Sequence, residues 1–71
     1  MYNNLKTEMT LRGVTIEDLA SVTGTHRNTM ANKINGSSSF DIEECFTIRD
    51  LKFPYARIEY LFKQFTSEVA G

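Results

Sequence analysis

Hydrophobic residues along this chain recur at the three- and four-residue spacing of amphipathic helices. Leu5 and Met9 are four positions apart, and Ile42, Cys45 and Ile48 follow one another at intervals of three. No stretch alternates between apolar and polar residues for long enough to predict a strand. The pattern therefore predicts an all-α protein with five helices, over about 4–12, 16–23, 26–34, the segment from Asp41 to Pro54, and about 56–64.

Capping signals define the second and third helices. Thr15 is placed as an N-cap with Asp18 as its capping-box partner, and Gly24 is suited to end that helix. Thr25 is predicted to N-cap the third helix, which the Asn35-Gly36 pair should end. The sequence thus predicts two short helices joined by a tight turn, as in a helix-turn-helix.

The fourth and fifth helices are expected to complete the core. Asp41 is placed as an N-cap with Glu44 as its capping-box partner and Phe40 as a hydrophobic staple. The residues expected to face inward are Ile42, Cys45, Ile48 and Leu51 in the fourth helix, and Ile58, Leu61 and Phe62 in the fifth. Cys45 is interpreted as a core residue, because a reactive cysteine needs an exposed electropositive setting.

The segment from Thr15 to Gly36 resembles the helix-turn-helix of the lambda-repressor/Cro-like (XRE) family of bacterial and phage regulators. The resemblance is carried by Ala20, Gly24, Met30 and the Asn35-Gly36 pair, and it extends over about residues 4–63. It implies a five-helix lambda-repressor-like DNA-binding domain. We expect a single domain over residues 1–71, with the helix-turn-helix at about 16–34 and a short flexible tail over 66–71.

The sequence departs from the family pattern at two places. Many members pair a buried arginine in helix 1 with a glutamate late in helix 3, where this chain has Met9 and Ile34. Replacing both partners by packed apolar groups is tolerated, so Met9 and Ile34 are expected to touch. Ile16 stands where the family usually has a phosphate-binding glutamine, and isoleucine cannot donate a side-chain hydrogen bond.

The resemblance implies that the third helix reads DNA bases in the major groove. The candidate base-reading residues are His26, Arg27, Asn28 and Asn32. Arginine matches the O6 and N7 atoms of guanine, and asparagine matches the N6 and N7 atoms of adenine. The alternative interpretation is an ordinary solvated helix face.

A second set of residues is placed to contact the DNA backbone. The candidates are Thr25, Lys33, Asn35, Ser37 and Ser38, and their alternative role is capping and loop chemistry. The C-terminal aromatic residues exceed what a small core can bury. Tyr55, Tyr60 and Phe65 are therefore predicted to form a dimer interface.

Charge and composition limit these interpretations. The 71 residues carry a net charge of −1 and a pI of about 5.7, which is low for a DNA-binding protein. No acidic residue occurs between Asp18 and Asp41, whereas Arg27 and Lys33 do, so we expect a locally positive face. The chain has no membrane-length apolar run and no signal-peptide pattern at its start, which favours a location in the cytoplasm of a bacterial host cell.

The sequence therefore predicts a Cro/repressor-like transcription regulator that binds a double-stranded DNA operator as a homodimer. We expect no enzyme activity, cofactor or metal site, because paired carboxylates, an activated nucleophile and a phosphate-binding glycine loop are all absent. The alternative is an antirepressor that uses the helix-turn-helix surface to bind a repressor protein. A third possibility is an antitoxin of the same fold.

Overall fold

The computed structural model describes residues 2–64, and this part of the chain is all-helical. Its elements are α1 (Asn3–Arg12), α2 (Ile16–Thr23), α3 (Arg27–Asn35), α4 (Ile42–Lys52) and α5 (Ile58–Leu61). α2 packs against both α3 and α4, and α5 packs against α1 and α4. The prediction of an all-α protein is confirmed. Among the described helices, none combines the length and apolar character needed to cross a membrane.

The start and end of α2 follow the predicted capping chemistry. The amide of Asp18 donates to Thr15 Oγ1 at 3.1 Å, and the amide of Thr15 donates to Asp18 Oδ2 at 2.9 Å. The bond from the Thr15 amide, followed by that with the Thr15 hydroxyl, lowers the pKa of the Asp18 carboxyl. Gly24 ends the helix with a φ of 71°, a left-handed conformation that costs any residue with a Cβ atom free energy.

α3 begins one residue later than predicted. Thr25 is not its N-cap, because the Thr25 hydroxyl lies 3.0 Å from the Thr23 hydroxyl and is used within the turn. The Thr25 amide donates to the carbonyl of Ala20 at 3.0 Å and so continues the end of α2. His26 is the N-cap residue instead, and its side chain makes no capping hydrogen bond.

α4 buries a narrower face than predicted. Cys45 and Ile48 lie in the core as expected, and burial raises the pKa of the Cys45 thiol. Ile42 and Leu51 are 66% and 61% exposed, so the prediction that they are buried is wrong. These two residues flank the buried stripe on opposite sides of the helix, where the neighbouring helices do not reach.

α5 is also shorter than predicted, with four residues instead of the expected nine over 56–64. The connection that precedes it is a turn in which the amide of Ala56 donates to the carbonyl of Phe53 at 2.9 Å. Leu61 is fully buried, whereas Ile58 and Phe62 are only half-buried. The fifth helix therefore holds the core mainly through one residue.

Every helix contributes a fully buried side chain to a single core. The largest fully buried side chains are Leu5, Leu19, Met30, Ile48 and Leu61 in the helices, and Phe53 directly after α4. Three aromatic rings close one end of the core in edge-to-face contacts, with centroid separations of 5.1, 5.2 and 6.1 Å: Tyr2, Phe40 and Phe62. The geometry is the one that aromatic quadrupoles favour.

Met9 and Ile34 belong to the same core cluster, and their direct contact with each other stays a prediction. They are 9% and 3% exposed. Both residues also line one surface pocket of about 390 Å³ between α1 and α3. The two positions face a common space that their side chains do not fill.

Candidate nucleic-acid interface

A three-residue turn positions α3 against α2. The turn consists of residues 24–26 and contains Gly24, which agrees with the length and composition of a helix-turn-helix connection. Ala20 is 5% exposed in α2, the helix that packs on α3, and its small side chain permits a close approach there. The Thr23 hydroxyl donates back to the carbonyl of Leu19 at 2.8 Å and stabilises the end of α2.

One side of α3 is anchored in the core and the other faces solvent. Met30 is fully buried and Ile34 is 3% exposed. Asn28, Asn32 and Asn35 are all exposed, and their spacing of four and three residues aligns them along one face of the helix. The anchored side fixes the orientation in which this row of asparagines is presented.

The asparagine side chains of this row are available to bind a ligand. Among residues 2–64, no partner is found for the side-chain amides of Asn28, Asn32 and Asn35. Each amide offers a donor and an acceptor side by side. The first amides of α3 are also without a side-chain cap, since His26 provides none. The uncapped amides at this end of α3 can therefore donate hydrogen bonds to a ligand, including an anionic one.

Arg27 is exposed at the start of α3, but its guanidinium is already bound. Arg27 Nε donates to Glu17 Oε2 at 2.7 Å, and the two side chains are 57% and 63% exposed. The pKa of Glu17 is lowered by a hydrogen bond from its own backbone amide and by the bonds with Arg27. Any ligand that uses Arg27 must compete with Glu17.

Lys33 is held inside the molecule. Its Nζ atom lies 2.6 Å and 2.7 Å from the two carboxylate oxygens of Glu44 in α4, and the two side chains are only 12% and 13% exposed. Glu44 also accepts a bond of 3.0 Å from the amide of Asp41, the N-cap of α4, as the predicted capping box requires. Burial raises the pKa of Glu44, but the bonds from Lys33 and Asp41 outweigh it, and the net pKa is lowered.

These two ion pairs change the local charge that the sequence predicts for the surface around α3. The segment between Asp18 and Asp41 contains no acid, yet both of its cations are neutralised by carboxylates that lie outside it. The expectation of a locally positive face is therefore wrong for this arrangement. Ser37 and Ser38 are exposed after α3 and their hydroxyls are accessible, so the predicted backbone contacts by these two residues remain predictions.

The C-terminal tyrosines are bound to α1. Tyr55 and Tyr60 are 51% and 40% exposed, and both hydroxyls donate to the carboxylate of Glu8, that of Tyr60 at 3.0 Å. Arg12 lies over the Tyr55 ring, 4.4 Å from its centroid, and its Nε atom donates to the Tyr55 hydroxyl at 3.1 Å. Phe65, the third predicted interface residue, and the predicted tail over 66–71 lie outside the described residues.

Sequence reasoning missed the tertiary partners of three carboxylates. Glu17 and Glu44 hold the two cations of α3, and Glu8 joins α1 to the tyrosines. The partner of Glu17 is 10 residues away, that of Glu44 is 11 residues away, and the two partners of Glu8 are 47 and 52 residues away. Only Glu44 carried a local signal, its place in a capping box, and that signal does not reveal Lys33.

Comparisons with protein-family models, with curated proteins and with solved structures found no match for this chain. Over residues 2–64, no group of three or more His, Cys, Asp or Glu side chains is placed to hold a metal ion. The interpretation of the site therefore depends on its own geometry.

Proposed function

We propose that this protein is a DNA-binding transcription regulator that reads the major groove with the asparagine face of α3. The observation that carries the proposal is the row of exposed and unpartnered amides at Asn28, Asn32 and Asn35, on a helix anchored behind by Met30 and Ile34. An asparagine amide can bond the N6 and N7 atoms of adenine together. The row can thus address successive adenines along one groove.

The start of α3 supports the same function. Its uncapped amides are suited to bind a DNA phosphate, and Arg27 and His26 are exposed beside them. The order of five helices and the glycine-containing turn agree with the resemblance to lambda-repressor-like regulators. The protein would act in the cytoplasm of a bacterial cell, as a homodimer on a two-fold operator with half-sites about 34 Å apart.

Selection of binding sites from random duplex DNA tests the proposal. We expect enrichment of a two-fold motif with adenines in each half-site. Asn28→Ala and Asn32→Ala should each cost about 1–3 kcal/mol of binding free energy and relax the preference at one position. Asn3→Ala, at an exposed position in the first turn of α1, is the matched control and should leave binding unchanged. If no motif is enriched at low salt, the proposed function is wrong.

The paired cations favour one alternative, a protein-interaction module such as an antirepressor. Arg27 and Lys33 are both neutralised, and the net charge is −1, which suits a protein partner better than phosphate. Capture of a repressor encoded by the same phage or prophage, lost in Asn28→Ala and Asn32→Ala while DNA selection fails, would establish this alternative.

A further inference from the structure

A surface pocket lies where α1, the start of α2 and the end of α3 meet. It measures about 390 Å³, within the size range of small-molecule sites. Its apolar lining comes from Met9, Val14, Ile16, Ala31 and Ile34. Methionine adapts to ligands of different shape because its thioether chain is unbranched and polarizable. The pocket can therefore bury an aliphatic chain.

The charge in the pocket lining is positive. Lys6 is the charged residue in its lining, and no carboxylate lines it. Within residues 2–64, the Lys6 ammonium has no hydrogen-bond or ion-pair partner, whereas Lys33 and Arg27 are both paired. Lys6 is half-buried as a residue, and an ammonium group at the edge of an apolar surface favours a ligand with an anionic end and an apolar body.

We propose that this pocket binds a small aliphatic carboxylate, with the chain packed between Met9 and Ile34 and the carboxylate at Lys6. The hydroxyl of Thr10 and the amide of Asn35 also line the pocket and can hydrogen-bond the ligand's polar end. The ligand fills space that the side chains leave open.

A ligand in the pocket would contact α3, the helix proposed to read DNA. Ala31, Ile34 and Asn35 all belong to α3, and Asn35 also lies on the asparagine face. A ligand that contacts α1 and α3 together restricts their relative position. The expected change in DNA affinity on ligand binding depends on the proposed function, whereas ligand binding itself does not.

Titration of the full chain with octanoate, followed by backbone amide chemical shifts without DNA, tests the proposal. We expect saturable shifts confined to residues around α1, the start of α2 and the end of α3. Lys6→Gln should weaken octanoate binding about tenfold and leave binding of octanol, the uncharged analogue, unchanged. Lys52→Gln, which removes the same charge outside the pocket lining, is the matched control.

Two variants fill the pocket. Ala31→Met extends into it from α3, and Val14→Phe does so from the connection between α1 and α2. Either folded variant should lose binding of both octanoate and octanol. The proposal is overturned if octanoate binds no better than acetate, if its shifts are scattered over the surface, or if a folded pocket-filled variant binds it as well as the wild type.

Discussion

Arg27, at the start of α3, is exposed to solvent but already forms an ion pair. Its side chain is more than half exposed, yet its Nε atom is bonded to Glu17 at 2.7 Å. Exposed ion pairs of this kind contribute little to stability, so the phosphates of the proposed DNA ligand can compete with the carboxylate for Arg27. Glu17 stands at the start of α2, and its negative charge would face an approaching phosphate backbone. Both effects oppose the proposed binding to DNA.

Glu17→Gln should therefore strengthen binding to operator DNA by about two- to fivefold. It frees Arg27 and removes a like charge from the approach of phosphate. Titrations by fluorescence anisotropy at several salt concentrations measure the change. Glu59→Gln in α5 alters the net charge equally at a weak contact of 3.9 Å and is the control. Equal gains in both variants would show that net charge, not the Arg27 contact, is responsible.

At the scale of elements, the Lys33–Glu44 pair connects α3 to α4. Its members are almost nine-tenths buried, and Glu44 also holds the N-terminus of α4 through the Asp41 amide. Removing the lysine alone would leave a largely buried carboxylate without its main partner, which is the costly case for ion pairs. The pair thus fixes α3 relative to its neighbour and does not present Lys33 to DNA.

Lys33→Met should lower the free energy of unfolding by about 2 kcal/mol, and adding Glu44→Gln should restore part of this loss. Urea denaturation of the two single variants and the double variant gives the coupling. Arg57→Met, at an ion pair whose side chains are 84% and 74% exposed, should change stability little. Strictly additive losses at Lys33 and Glu44 would contradict an energetic coupling between the two helices.

The contact of α1 with the C-terminal segment predicts a pH dependence of stability. Hydrogen bonds from Tyr55 and then Tyr60 lower the pKa of Glu8 from its ordinary 4.5, so its contribution is present above pH 4.5 and is lost as the pH falls below it. The bond to Glu8 raises the pKa of Tyr60 from 10.0, so that contribution is lost as the pH rises above 10.

Glu8→Gln should flatten the stability profile at both ends. The acid slope should decrease without vanishing, because the pKa values of Glu17, Asp18 and Glu44 are lowered too. Thermal melts between pH 3 and pH 11 measure the profile. A wild-type slope that is unchanged by Glu8→Gln would show that the carboxylate bonds to the tyrosines do not contribute.

For the whole molecule, the features that the sequence predicts correctly are those set by residues close together in the chain. Capping at Thr15 and the glycine end at Gly24 are set within a few residues, and the buried Leu5 and Met9 follow from helical spacing. The predicted exposure of His26, Asn28 and Asn32 agrees with the structure for the same reason. These features need no knowledge of how the helices pack.

Features that depend on packing were not predictable in this way. Ile42 and Leu51 fit the apolar spacing of α4 but lie beyond the reach of α2 and α5. The Thr25 hydroxyl contacts the Thr23 hydroxyl instead of capping α3, and Arg27 forms an ion pair with Glu17 across the turn. In each case two or more partners were chemically possible, and the tertiary arrangement selected one.

The distribution of exposed apolar residues gives the final prediction, on self-association. The tyrosines are less suited to it than the sequence indicated, because Glu8 binds both hydroxyls and Arg12 covers one face of Tyr55. On α4, Ile42 and Phe46 lie four residues apart and are 66% and 43% exposed, so they form a short apolar strip on one flank of the helix. A second copy that covers this strip would add apolar burial to a domain of only 71 residues.

We therefore expect a weak dimer whose association decreases at least tenfold in Phe46→Glu, because an unpaired carboxylate would be buried in the contact. Sedimentation equilibrium at micromolar to millimolar concentrations, with and without operator DNA, measures the change. Circular dichroism verifies that the variant remains folded, which is expected for a side chain that is 43% exposed in the monomer.

Tyr60→Gln is the contrasting variant and should leave association unchanged. If Tyr60→Gln weakens association and Phe46→Glu does not, the interface lies at the C-terminal aromatics, and if the wild type stays monomeric even on DNA, neither surface joins two copies.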